Sequence, residues 1–221
     1  MASQLRTQPK NITIHHKTAT YSAYDVTCFG HHVRTIVTSC PNIVTKWITH
    51  IQSNNPSTIV GLDTEGLNPI KILQLCVGPN CLIYKLIHTT SIPQILVDFL
   101  KESTWKFSGV GVLGDHKRLL RDYELDLGIT IDVSKIAAEA DLVRVNAGLK
   151  AVTKAVLGWE MEKLKEITKS KWEKEILDDS QVFYACVDAF VGYHIGIKLI
   201  VGDECVHDYC IHHQLFGDQF D

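Results

Sequence analysis

Residues 57–67, STIVGLDTEGL, run apolar through Ile59 and Val60 and then set two acids one residue apart, Asp63 and Glu65. On an extended strand residues i and i+2 share a face, so both carboxylates point the same way. Carboxylates that close repel, and burying them is costly unless cations neutralise them. Two readings follow from the pair alone. The strand ends in solvent, or it supplies part of a cation site whose other acids come from distant segments.

The flanking sequence says what such a strand would belong to. YSAYDVTCFGHHVRTIVT reads as a hairpin around a Gly-His-His turn, and IKILQLCVG with NCLIYKLIH as a second one broken at Gly78-Pro79-Asn80. Between them, CPNIVTKWITHIQSN has Ile43, Val44, Trp47, Ile48 and Ile51 at helical spacing. SIPQILVDFLKES is a short amphipathic helix. The pattern then alternates: WKFSGVGVLG runs into DHKRLLRDYEL, and ITID into VSKIAAEA. NAGLKAVTKAVLG predicts a helix capped by Asn146 and stopped at Gly158. A charged connector around SKWEKE leads to a long helix starting at DDSQVFYACVD. Hairpins followed by strand–helix alternation predict an α/β fold, a mixed sheet covered by helices. At 221 residues the chain fits one domain. We place it at 21–204, between a disordered N-terminal tail (1–20) and a C-terminal tail (205–221).

Composition excludes some classes. A net charge of −3 weighs against a passive nucleic-acid binder, but not against an enzyme that gathers acids around cations. No run of about 18 apolar residues predicts a membrane span. The N-terminal MASQLRTQPKNITIHHK lacks the features of a secretory or transit segment. The expected location is therefore intracellular, nucleus or cytoplasm. Seven cysteines without such a signal read as reduced thiols, with Cys76 and Cys186 in the core. Cys205, His207, Cys210, His212 and His213 crowd the tail. A zinc site needs a second ligand pair, and none is evident, so a mobile polar tail is expected.

Two further segments could complete a cation site. Asp115 stands where a strand hands over to a helix, a position also suited to a simple first-turn acid. Tyr184 and Asp188, four residues apart on the last helix, share one face beside an apolar stripe. Each is equally readable as core or surface when taken singly.

The set Asp63-x-Glu65, Asp115 and Tyr184-x-x-x-Asp188 resembles the three motifs of the DEDD exonuclease superfamily, in its tyrosine-bearing DEDDy branch. ILQLCVG, GVGVLGDHKRLLRDY and YACVDAFVG extend the resemblance, which is greatest to the Werner-syndrome exonuclease domain and its stand-alone plant relatives. It implies a ribonuclease-H-like fold with a five-stranded mixed sheet. It also implies a metal-dependent 3′→5′ exonuclease acting on DNA or RNA with a free 3′ end and releasing nucleoside 5′-monophosphates. Two divalent cations, Mg²⁺ with Mn²⁺ able to substitute, would lie between the four carboxylates. Asp63 would bridge both, Glu65 and Asp188 would complete the site of the attacking water, and Asp115 would support the second ion. Tyr184 would orient that water. Lys169 and Lys171 would meet phosphates and Trp172 would stack on a base, although a solvated connector with a packed Trp172 explains them equally well. Many relatives carry a bulky residue after the first-motif glutamate; Gly66 stands here and is expected to widen the mouth of the site. The alternative function is a catalytically impaired nucleic-acid-binding or scaffolding protein of the same fold.

Overall fold

The computed structural model describes residues 11–54, 57–162, 165–202 and 216. Eight strands form one sheet: β1 (Ile12–Lys17), β2 (Tyr21–Cys28), β3 (His31–Thr38), β4 (Ile59–Glu65), β5 (Ile72–Val77), β6 (Asn80–Tyr84), β7 (Lys106–Gly109) and β8 (Ile129–Asp132). Their order is β1-β2-β3-β6-β5-β4-β7-β8. The tight hairpins give antiparallel pairs, β1/β2/β3 and β4/β5/β6. The junctions β3/β6, β4/β7 and β7/β8 are parallel and need longer crossovers. Helices α1 (Pro41–Asn54), α2 (Gln94–Lys101), α3 (Val112–Tyr123), α4 (Val133–Glu139), α5 (Leu149–Leu157), α6 (Lys165–Thr168) and α7 (Asp179–Ile200) complete the α/β fold.

The sheet has eight strands, not the five expected. One of the extra strands, β1, falls inside the segment 1–20 that reads as disordered. Only Ile12 of β1 is buried, so the strand has no hydrophobic face to reveal it. Its backbone pairing with β2 holds it in place. The first hairpin turns at Phe29-Gly30, with φ of 50° and 80°, and not at Gly-His-His. Two consecutive left-handed residues match the right-handed twist of the strands; Phe29 also stacks on Trp159, ring centroids 4.7 Å apart. Helix α5 starts at Leu149 with Gly148 as its N-cap. Asn146, expected in that role, instead occupies a left-handed turn at φ 61°. The Cys205–His213 cluster lies outside the described residues. Phe216 is buried, contrary to a wholly mobile tail: its N–H donates to Asn80 Oδ1 at 2.7 Å, and its ring meets His50 edge-on.

Helix α7 is the axis of the core. Asp178 caps it by accepting from the Gln181 N–H at 3.0 Å, and the Gln181 side chain returns a bond to the Asp178 N–H. Small residues then let it lie directly on the sheet. A Cβ on Gly192 would stand 2.9 Å from the Ser108 carbonyl oxygen, and one on Gly196 would fall on the Ser108 hydroxyl. Ser108 Oγ donates to the Gly192 carbonyl at 2.7 Å. By length and composition α7 could cross a membrane, but 72% of its apolar window is buried inside the protein. Its hydrophobicity is that of a core helix.

Candidate active site

The end of β4 lies beneath α7. Gly61, two residues before Asp63 and on the same face, has no room for a Cβ, which would fall on the Ala189 carbonyl oxygen. That close approach carries Asp188, the residue before Ala189, to the acids of β4. One carboxylate oxygen from each of Asp63, Glu65 and Asp188 lies within 4.8 Å of the other two. Glu65 and Asp188 are 9% and 7% exposed, so water can do little to screen the repulsion.

The electrostatics follow from that crowding. Burial, then the charges of Asp188, Asp115 and Glu65, holds the Asp63 carboxyl well above the usual carboxylate range, against the pull of the Thr64 N–H. Burial and then Asp188 push Glu65 up to about 8, partly offset by the Gly66 N–H and by Arg118. A centre of this kind either retains protons at neutral pH or takes up cations. Its all-oxygen donor set, drawn from two elements, fits a hard divalent ion.

Asp115 occupies the first turn of α3 and is buried. Its Oδ1 accepts from Thr64 Oγ1 and from Arg118 Nη2, each at 2.5 Å. Thr64 points away from its neighbours Asp63 and Glu65 by strand alternation, so Asp115 is held from the other side of the strand end. It stands outside the three-carboxylate cluster, yet its charge acts on both Asp63 and Glu65. Tyr184 stands one turn before Asp188. Its hydroxyl receives a hydrogen bond from Thr168 Oγ1 at 3.1 Å. Burial, then Asp188, raises its pKa, keeping the phenol a proton donor. A cleft opens over the acids, lined by Leu62, Asp63, Gly109, Val110, Gly148, Leu149 and Asp188.

A family model described as 3'-5' exonuclease matches residues 36–200. The chain belongs to this 3′-5′ exonuclease family. It is 32% identical over 131 residues to the bifunctional 3'-5' exonuclease/ATP-dependent helicase WRN of Mus musculus, covering 59% of this chain and 9% of that protein. It is 31% identical over 146 residues to a 3'-5' exonuclease of Arabidopsis thaliana, covering 62% of this chain and 50% of that one. The chain thus spans half or less of the length of these curated relatives. The crystal structure of Escherichia coli RNase D, described as an exoribonuclease involved in structured RNA processing, aligns with TM-score 0.66 and 17% identity over 75% of this chain and 44% of its own. That likeness concerns the ribonuclease-H-like fold.

Within this exonuclease domain Trp172 follows the packed one of its two readings. Trp172 is 2% exposed and donates from Nε1 to the Thr168 carbonyl at 3.3 Å, so its ring is not open to a base. It packs near Tyr184, with ring centroids 6.2 Å apart. Gln181 Nε2 pins the same segment through Ser170 Oγ and the Lys171 carbonyl, at 2.9 and 3.0 Å. Lys169 and Lys171 remain exposed. Gly66 also has another role than widening the mouth. At φ 77° it makes a left-handed turn, and a Cβ there would run into the Lys71 side chain. Thr64 and Thr168 escaped the sequence reading. Thr64 sits between the two motif acids, but only the placement of α3 reveals its bond to Asp115.

Proposed function

We propose that the chain is a divalent-cation-dependent 3′→5′ exonuclease of the tyrosine-bearing DEDD type, Werner-like in its motifs. It releases nucleoside 5′-monophosphates from free 3′ ends of DNA or RNA. The observation that carries this reading is the convergence of Asp63, Glu65 and Asp188 within 4.8 Å, where burial and mutual repulsion hold the Asp63 carboxyl well above the usual range. These three, with Asp115 behind them, would hold two cations, Mg²⁺ or Mn²⁺. Bound there, such ions supply charge neutralisation and an activated water for in-line attack on a phosphodiester.

The chain's own residues do the rest. Tyr184, kept protonated and fixed by Thr168, presents a hydroxyl that orients the attacking water beside Asp188. Val110 and Leu149 form apolar walls for the terminal nucleotide. Lys169 and Lys171, exposed on an anchored connector, attract the phosphate backbone. The test is an end-labelled oligonucleotide assay with matched DNA and RNA, single-stranded and recessed, in Mg²⁺ or Mn²⁺. Stepwise shortening from the 3′ end that vanishes in Asp63→Ala, Glu65→Ala supports the reading. Equal, negligible degradation by wild type and variant refutes it.

A further inference from the structure

Gln74 on β5 lies directly opposite Asp63 on β4 in antiparallel register. Both side chains therefore rise on the face covered by α7. Gln74 is 0% exposed, yet neither its Oε1 nor its Nε2 has a hydrogen-bond partner. A primary amide buried in this way forfeits its bonds to water without replacement, so the position calls for a partner that arrives later. Its surroundings in the sheet are otherwise apolar or committed. Ile83 is its register partner on β6, Ile72 precedes it on its own face, and the Cys76 thiol donates to the Gly78 carbonyl. On the β4 side the opposing residue is Asp63, with Cβ atoms about 5 Å apart in such a pair. That gap is within reach of a long, flexible amide after a change of rotamer.

We propose that Gln74 is a positioning residue for Asp63. Its Nε2 donates to one oxygen of the Asp63 carboxylate when the other oxygen engages a divalent cation, fixing the carboxylate's orientation. The inference rests on the cation-dependent reading given above. It assigns the amide a function that appears only in the loaded centre. Groups that orient a metal's ligands from outside are worth roughly 10–100-fold in affinity.

The experiment uses the full chain as wild type and Gln74→Met, which replaces the amide by an apolar group of similar length, with Gln74→Leu as a second variant should the first not fold. Mn²⁺ affinity is read from the electron paramagnetic resonance signal of the free ion, and stability from thermal unfolding with chelator. The expected result is a variant whose cation-free Tm equals or exceeds that of wild type, because an unpaired buried amide has gone, while its Kd for Mn²⁺ rises roughly 10–100-fold. A cation-free Tm below wild type overturns the proposal whatever the affinity, since the amide then serves the apo fold. An unchanged Tm with a Kd within twofold of wild type overturns it as well. Failure of wild type to bind Mn²⁺ refutes the cation reading itself, and that outcome is distinct from a failure confined to Gln74.

Discussion

Asp63 is the residue on which the site's charge balance turns. Its carboxylate faces the charges of Asp188, Asp115 and Glu65, so replacing it by a neutral isostere relieves repulsion as it removes a ligand. Asp63→Asn should raise the Tm of chelated protein while lowering exonuclease activity at least ~10³-fold, an opposition that paired melting and oligonucleotide assays would expose. Glu65 predicts a pH signature. Its folded value of about 8 exceeds its ordinary 4.5, so the folded chain holds a proton that the unfolded chain has lost. That contribution to stability is full below 4.5 and disappears as pH rises through about 8. Melting curves in chelator should therefore fall across this window, and excess Mg²⁺ should flatten the fall at its upper end. Tyr184→Phe keeps the ring and removes the donor; activity should drop by roughly 10²-fold with Mn²⁺ affinity unchanged. Periodicity showed that Asp63 and Glu65 share a face, but only the resemblance to the exonuclease motifs joined them to Asp188, with which they cluster. Thr64 was not legible, since its bond to Asp115 depends on where α3 lands. Trp172 was ambiguous for a plainer reason: an aromatic in a charged connector suits a base or a crevice equally well, and Gln181, which fixes the connector, lies on another element.

Among the elements, α7 has two duties: it covers the sheet and delivers Asp188. Gly61 lets both happen at one distance, because its missing side chain is the space that the Ala189 carbonyl fills. Gly61→Ala should cost about 3 kcal/mol in urea unfolding and weaken Mn²⁺ binding together, as the helix is pushed off β4. The extents of α1 and α7 follow from apolar spacing and, for α7, the Asp178 cap, whereas α3 starts at Val112, inside the stretch WKFSGVGVLG that reads as strand, because β7 already ends at Gly109. Strand β1 follows from neither spacing nor a cap, because pairing with β2 and not burial holds it.

At the scale of the whole molecule, three parallel junctions knit local hairpins into one sheet, and their order is a property of the crossovers rather than of any strand's composition. The α/β class could be read from the alternation of elements, whereas the strand count could not. Phe216 shows the same limit, since an aromatic in a polar tail gives no sign that it seats against Asn80 and His50. Phe216→Ala should lower stability by up to about 3 kcal/mol and leave exonuclease activity unchanged, checked by urea unfolding beside the oligonucleotide assay.

The alternation of Asp63, Thr64 and Glu65 has a consequence for protein engineering. The outer two serve one side of the sheet, while the middle one grips Asp115 from the other. Such a centre cannot be transplanted as a loop, because three consecutive positions need a scaffold that builds on both surfaces of the same strand.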